Sequence, residues 1–588
     1  MADQHDPTST RAKGPSLLLA LAIVALGHGA CLFSDFLLDD FFNLKNALEA
    51  GWSWSGLAGN FTVAVNDMHD GIEFPALKGV IVRYFRPLFL ASLRVDHAVC
   101  GLHAWGYHLT NILLHLALVA VFYAVLRELL PDRPDMAWVG ALLYGVLPFT
   151  VTIVAWVSGR TEQWPALAMM AGVWAWLRFA KTRTRGYYAL TIAAMAVGLL
   201  AKENAVVFPG LVFAAWLWLA PRPRPSIVWF VPYVVLVAGY LVLRGRILGG
   251  FPLPPPMFYY HSPTEPGFVW WLLAKCICVF YALLTGLCLM YPAEMLLWRN
   301  PRALAVATVA TVAVATLLFR FVRGRRDDPW RRLAYFAIAW IVITLAPTAP
   351  IFVAAIYFYF PLAGIVLLYL VIWQRLVECG RPRWLARRLW RQAVLAALIV
   401  LCMAWLQVGN AIFGLGSRVT RRLNDQLAEV AEPIDGARLY VIDLPPLASS
   451  AKIDLGLRRP ECRFELHMFS VAPYIVKIPP TVSRVEQLDD RTLRVTALQK
   501  PYLSGVDALA ASGDRLADPI HAGLILEAPG YRFEFTKVEP GGLFGRNCVR
   551  QYTVRFDEPL DRPGNRFIRY QNGRFERIDF GNGSGVGG

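Results

Sequence analysis

Leu17-Leu-Leu-Ala-Leu-Ala-Ile-Val-Ala-Leu-Gly-His-Gly-Ala-Cys-Leu-Phe33 gives way abruptly to Ser34-Asp-Phe-Leu-Leu-Asp-Asp40. The first run is long and apolar enough to cross a bilayer. The second puts three carboxylates at its edge. Charge is costly beside hydrocarbon, so ionisable residues kept there are candidates for function rather than decoration. Asp39 and Asp40, which open a long polar loop, are therefore the first place to look for chemistry.

The same contrast recurs along the chain. Of its 588 residues 56% are hydrophobic and only 17% are charged, and the mean hydropathy is +0.44. That composition lies outside the range of soluble domains and indicates a multi-pass membrane protein. Apolar runs fall near residues 17–33, 106–127, 136–157, 163–180, 187–201, 205–220, 227–243, 301–321, 332–348, 351–373 and 392–412. They amount to about eleven spans of roughly 15 to 23 residues. The net charge of +16 is carried by connectors at alternate junctions: Arg127 to Arg133, Arg178 to Arg185, Arg222 with Arg224, Arg320 to Arg332, and Arg375 to Arg391. This is the positive-inside pattern, so the charge reports topology and implies membrane lipids, not nucleic acid, as its partner.

The start, residues 1–16, is polar, contains Arg11 and Lys13, and lacks a small-residue cleavage site before Asp35. An uncleaved first span with a cytoplasmic N-terminus is expected. The stretch from Val269 to Met290 would put the arginines near 325 on the wrong side as a further span. It is expected to be a hairpin or interfacial helix, after a Pro252-Leu-Pro-Pro-Pro256 run that cannot continue a helix. With an odd number of crossings, everything after residue 412 lies outside. There Ala437-Arg-Leu-Tyr-Val-Ile-Asp443, Arg491-Thr-Leu-Arg-Val-Thr496 and Tyr531-Arg-Phe-Glu-Phe-Thr536 alternate as strands do.

The expected fold class is thus an all-α polytopic membrane bundle over 17–412, with its first outer loop at 34–105. A C-terminal β-rich extracytoplasmic domain follows over 413–580, then a disordered tail at 581–588. The setting is an inner membrane of bacterial type with a periplasmic C-terminal domain. No repeat of 20 to 50 residues is present. Nine cysteines are too scattered for a zinc site, and only Cys462 and Cys548 form a candidate pair in an exported part.

On this topology the polar residues gather at one rim. Loop 34–105 carries Asp35, Asp39, Asp40, Asn43, Asp67, His69, Asp70, Arg83 and Arg86. His108, Asn111 and His115 share one helical face. Trp156-Val-Ser-Gly-Arg160 is followed by Glu162, and Lys202-Glu-Asn204 joins two short spans. The composition suits displacement at a sugar carbon whose leaving group is a lipid phosphate. A carboxylate takes the acceptor's proton, and Arg or Lys charges stabilise the departing phosphate.

Each residue also has a structural reading. An aspartate at 39 or 40 caps a loop helix, and Arg86 before Pro87 anchors at the interface. His108, Asn111 and His115 make interhelical hydrogen bonds, and Lys202 and Glu203 neutralise each other. Asp67, His69 and Asp70 match metal ligands only loosely. No metal or other cofactor is expected, and a divalent-metal requirement stays open.

Taken in order, Leu38-Asp-Asp-Phe41, Tyr84-Phe-Arg-Pro-Leu88, Gly106-Tyr-His-Leu-Thr-Asn-Ile-Leu-Leu-His115, Ala155-Trp-Val-Ser-Gly-Arg160 and Leu200-Ala-Lys-Glu203 form a recurring signature. In them the chain resembles the GT-C superfamily of integral-membrane glycosyltransferases, and within it the protein O-mannosyltransferase branch with its tetratricopeptide-containing relatives. The resemblance implies a GT-C-like bundle and inverting transfer from a polyprenyl-phosphate sugar donor to an extracytoplasmic acceptor: glycan, lipid or protein. It makes Asp39 the general base, with Asp40 as neighbour or alternative. Arg86, Arg160 and Lys202 become donor-phosphate contacts, and His108, Asn111, His115, Glu162 and Glu203 the supporting polar residues.

Two departures limit the likeness. Ala355 and Ile356 stand where an Arg precedes the Tyr357-Phe-Tyr359 string in relatives, and a β-rich segment replaces the repeat domain. The rival from another class is a non-catalytic transporter or flippase of a lipid-linked substrate, and a degenerate transferase serving assembly is a third reading. Duplicated halves and broken mid-membrane helices, which favour a transporter, are not seen in the sequence.

Overall fold

The computed structural model describes residues 16–49, 84–250, 263–286, 297–298, 300–324, 328–379, 387–431 and most of 436–580. Asp67, His69, Asp70, Arg83, Cys462, Pro252–Pro256 and the 581–588 tail lie outside the described residues.

Helix α1 (Leu17–His28) starts at Ser16, whose hydroxyl accepts from the Leu18 amide at 3.2 Å. Helices α2 (Asp39–Glu49) and α3 (Pro87–Cys100) precede α4 (Ala104–Leu129), α5 (Pro134–Val146), α6 (Phe149–Ala155) and α7 (Arg160–Thr182). Then come α8 (Arg185–Ala201), α9 (Phe208–Trp218), α10 (Val231–Leu248), α11 (Phe268–Thr285), α12 (Pro301–Arg323), α13 (Pro329–Leu345), α14 (Leu362–Cys379) and α15 (Arg388–Ala431). Prolines open α3, α5, α12 and α13, where the missing N–H costs nothing. One core of buried side chains, among them Phe122, Trp176, Phe208 and Leu367, runs through the bundle.

Among the described residues six helices are long and apolar enough to cross a membrane, or seven if the bent pair α5–α6 is one span. The chain is a multi-pass membrane protein. Leu17–Phe33, Arg185–Ala201 and Glu203–Trp218 are apolar but shorter, so the expected count of about eleven is not met by full-length helices alone. Local breaks explain the shortfall. Pro148 forces Leu147 out of the helical region and bends α5 against α6 by 59°, and extended Lys202 ends α8.

The stretch beginning at Val269 is one unbroken helix over its described length, not a hairpin, because nothing interrupts it before Gly286 at φ 70°. It passes the length and apolarity test for a span. Midway along it Lys275 donates to the carbonyls of Thr348 and Ala349, in the loop after α13.

Helix α15 has 44 residues and does not stop at 412, so a domain boundary drawn there falls inside a helix. At about 1.5 Å per residue it is some 66 Å long, which carries it well beyond the bundle. Its far end presents Val419, Leu423 and Leu427, one stripe at four-residue spacing, to a sheet. That sheet has the order β2 (Phe464–Met468), β1 (Ala437–Ile442), β8 (Asn565–Gln571), β9 (Arg574–Ile578), with β1 parallel to both neighbours.

Leu439 and Val441 face α15, whereas Tyr440 and Ile442 face the second sheet. The second sheet is antiparallel, ordered β3 (Ser483–Gln487), β4 (Thr492–Ala497), β7 (Asn547–Phe556), β6 (Tyr531–Pro540), β5 (Ile525–Ala528). Short helix α16 (Ala451–Arg458) reaches back to the bundle, where Ile453 and Leu457 pack on Phe36, Phe41 and their neighbours.

Candidate functional site

The turn that launches α2 is strained. Leu38 sits at φ 48°, a left-handed conformation that a branched side chain adopts at a cost of about 1–3 kcal/mol. Its surroundings hold it there. The Leu37 amide donates to Asp40 Oδ2 at 2.9 Å, and Trp156 Nε1 donates to the Leu37 carbonyl at 3.3 Å. Asp40 Oδ1 accepts from the Ser158 amide at 2.7 Å and from the Ser158 hydroxyl at 2.6 Å. Asp40 is buried, and both its oxygens are spent on architecture.

Asp39, one residue earlier, has neither a hydrogen bond nor an ion pair among the described residues. Burial raises its pKa to about 6 with nothing to oppose it, although its side chain keeps some exposure to water. Asp40 is pushed up to about 7 by burial, against the Ser158 and Leu37 donors and with help from the charge of Asp39.

Arg86 is placed by Pro87, which excludes the preceding residue from the helix; its φ of −138° and ψ of 59° set the side chain at the mouth of α3. Its guanidinium grips Glu203 with two nitrogens, Nη2 to Oε1 at 2.7 Å and Nε to Oε2 at 3.2 Å, and lies 4.2 Å from the Tyr84 ring centre. Nη1 has no partner among the described residues. Burial raises the pKa of the Tyr84 hydroxyl, Arg86 opposes this, and the charges of Glu203 and Asp39 add to it. One phenol thus feels both Asp39 and the Arg86–Glu203 pair. Behind them Lys202 pairs with fully buried Glu162, whose charge also reaches Arg86.

Arg160 differs. Its side chain is completely buried and all three of its nitrogens are taken. Nη1 meets Asp96 at 2.6 Å, Nε meets Asn111 Oδ1 at 2.8 Å, and Nη2 meets the Tyr107 carbonyl at 2.8 Å. Nη1 also reaches Ser92 Oγ at 3.3 Å, so four of the five N–H donors are engaged inside the protein, which points to a clamp rather than to the expected donor contact. The Ser-Gly-Arg string is architecture residue by residue. Ser158 holds Asp40. A Cβ at Gly159 would lie 2.4 Å from the Ile153 carbonyl oxygen, and Arg160 ties α7 to α3 and α4. Asn111 adds a bond to the Trp156 carbonyl at 2.9 Å.

His115 bridges Tyr359 Oη at 2.8 Å and the Gly145 carbonyl at 3.0 Å. The break at Pro148 leaves that carbonyl without its helical partner, and His28 also reaches it at 3.1 Å. His108 is buried beneath the Ser34–Asp35 backbone. His115 and Asn111 tie neighbouring elements of the bundle together. No cluster of three or more metal-ligating side chains occurs among the described residues.

Asp96, Gln163, which donates to the Asn111 carbonyl at 2.8 Å, and the part Tyr359 plays as partner of His115 were missed by sequence reasoning. Only Asp96 carried a signal, a carboxylate inside the mainly apolar α3.

Residues 86–244 match the family model described as dolichyl-phosphate-mannose-protein mannosyltransferase. Among curated proteins, protein O-mannosyl-transferase TMTC2 of Mus musculus is 30% identical over 127 residues, which is 21% of this chain and 15% of that protein. TMTC2 of Homo sapiens is 33% identical over 107 residues, 18% of this chain and 12% of that protein. The chain thus matches only a small part of these relatives' length. A crystal structure of ArnT from Cupriavidus metallidurans bound to undecaprenyl phosphate overlaps 77% of this chain and 85% of its own, at 16% identity and a TM-score of 0.44. Within the matched region this chain resembles the GT-C glycosyltransferases of the protein O-mannosyltransferase branch.

Proposed function

We propose that this chain is a membrane glycosyltransferase that moves a sugar, with inversion, from a polyprenyl-phosphate-linked donor to an acceptor at the face bearing Asp39. The observation that carries the reading is the Asp39 carboxylate on the first turn of α2, which has no hydrogen bond or ion pair among the described residues, near Tyr84, whose ring Arg86 covers. The likeness of residues 86–244 to mannosyltransferases supports the same class.

In this mechanism an acceptor hydroxyl attacks the anomeric carbon from the side opposite the phosphate. Asp39 takes the hydroxyl proton as the new C–O bond forms. The bond from anomeric carbon to phosphate oxygen breaks, and the electron pair leaves with polyprenyl phosphate. Arg86 Nη1 and the remaining ammonium hydrogens of Lys202 stabilise that growing negative charge. Glu203 and Glu162 hold the two cations in place.

The topology belongs to the proposal. The arginine-rich connectors lie in the cytoplasm, and Asp39 and the β-sheet domain lie outside it. Lipid extracts of a strain lacking the protein test the reading: an accumulated polyprenyl-phosphate sugar is expected. No accumulation, with purified protein carrying labelled lipid-linked sugar across liposomes uncleaved, would establish the transporter instead.

A further inference from the structure

The far end of the bundle contains a site that sugar transfer does not use. Helix α4 continues from Asn111 to Leu129, so about 27 Å of helix separates Asn111 from the connector that begins α5. At that connector α5, α14 and α15 enclose a cleft of about 890 Å³, large for a small-molecule pocket. Its walls are apolar and aromatic, with Trp138, Tyr369, Trp373 and Leu395 among them, and Arg133, Arg388 and Arg391 stand at the same end.

The three arginines are not equivalent. Arg133 is engaged by Asp135 at 3.2 Å and by Gln374 at 2.9 Å. Arg388 and Arg391 have no ion pair or side-chain hydrogen bond among the described residues. They lie three residues apart in the first turn of α15, on one face, and both line the cleft. Asp132 and Asp135 are the acidic groups of the lining, so the balance is positive.

Two uncommitted guanidiniums above an apolar trough match a molecule with an anionic head and a hydrocarbon body. A soluble phosphate would leave the trough empty, and an uncharged lipid would leave the arginines without a partner. We propose that this cleft binds an anionic glycerophospholipid of the leaflet opposite Asp39. Its phosphate sits between Arg388 and Arg391, and an acyl chain lies along the Leu395 wall. Basic pockets between spans at the cytoplasmic side recognise such headgroups. The inference is independent of whether the chain transfers sugar.

The test is native mass spectrometry of the full chain with equimolar phosphatidylglycerol and phosphatidylethanolamine. Preferential retention of phosphatidylglycerol is expected. Arg388→Gln with Arg391→Gln should reduce that preference by about thirtyfold, on the scale of two surface arginines. Leu395→Trp, which fills the trough but keeps the charges, should lower retention of both lipids. Equal retention of the two lipids by the wild type, or an unchanged preference in the double variant, overturns the proposal.

Should the double variant not fold, chain-brominated lipids decide the matter on the folded wild type. Brominated phosphatidylglycerol should quench tryptophan fluorescence more than brominated phosphatidylethanolamine, and Trp373→Phe should remove part of that excess. Equal quenching by the two, as expected if protein fills the cleft, refutes it.

Discussion

Two clusters built from the same residue types sit side by side beneath α2, and they differ in whether their polar valence is full. Around Arg160 little is left over: each of its three nitrogens finds a partner, Asp96 accepts from both Arg160 and Thr110, and both Asp40 oxygens are occupied. Around Arg86 there is surplus, since Nη1 is open and Asp39 has no partner among the described residues. A saturated cluster fixes geometry, and an unsaturated one next to it offers chemistry. Asp39 and Asp40 show this over a single peptide bond.

The contrast is broken most easily at Arg160. Arg160→Met leaves Asp96 buried and unpaired and should cost about 3–5 kcal/mol, seen as loss of monodisperse protein or a large fall in Tm. Adding Asp96→Leu should restore much of the stability, because an apolar replacement of a buried pair is close to neutral. A well-folded Arg160→Met protein that merely binds donor weakly would return Arg160 to the phosphate site.

Arg86→Gln sharpens the other side. Loss of a charge-assisted contact, typically about 1.5–3 kcal/mol, should weaken donor binding roughly ten- to a hundredfold while the fold persists. Donor affinity measured on the purified variant checks it.

The smallest effect is expected where the C-terminal domain touches the loop. Arg421 pairs with Asp35 at 2.9 Å, half-exposed. Arg421→Ala should change stability by less than about 1 kcal/mol, as a Tm comparison would register.

Much of the frame was legible. The patterns at 437–443, 491–496 and 531–536 mark β1, β4 and β6; β4 and the first half of β6 bury one face, and β1 is sandwiched between α15 and the second sheet. Proline and charge also mark most helix starts. The long α15 was not legible past 412, since its apolar run ends there and the remaining turns are helical through a narrow stripe on a sheet.

At the site, the outer-rim residues could be named but not sorted. Nothing in the string Leu38-Asp-Asp-Phe41 says which carboxylate meets Ser158. Nor could local sequence show that the partner of Arg160 is Asp96, more than sixty positions upstream. Nor could it show how differently the cations are held: Lys202 is buried against Glu162, which leaves ammonium hydrogens over, while Arg86 keeps Nη1 open beside Glu203.

The most direct test is turnover of lipid-linked sugar by Asp39→Asn and Asp40→Asn proteins across pH. With Asp39 as base, wild-type kcat/KM should rise as pH increases through about 6, where that carboxylate loses its proton. Asp39→Asn should lower turnover by about two orders of magnitude or more, abolish the acidic limb and leave donor binding largely intact. Asp40→Asn should chiefly reduce stability, by about 1–3 kcal/mol, because its single amide oxygen can serve the Ser158 donors or the Leu37 amide but not both. An Asp39→Asn protein with wild-type turnover and an unchanged acidic limb would contradict the assignment, most plainly if Asp40→Asn were the inactive one.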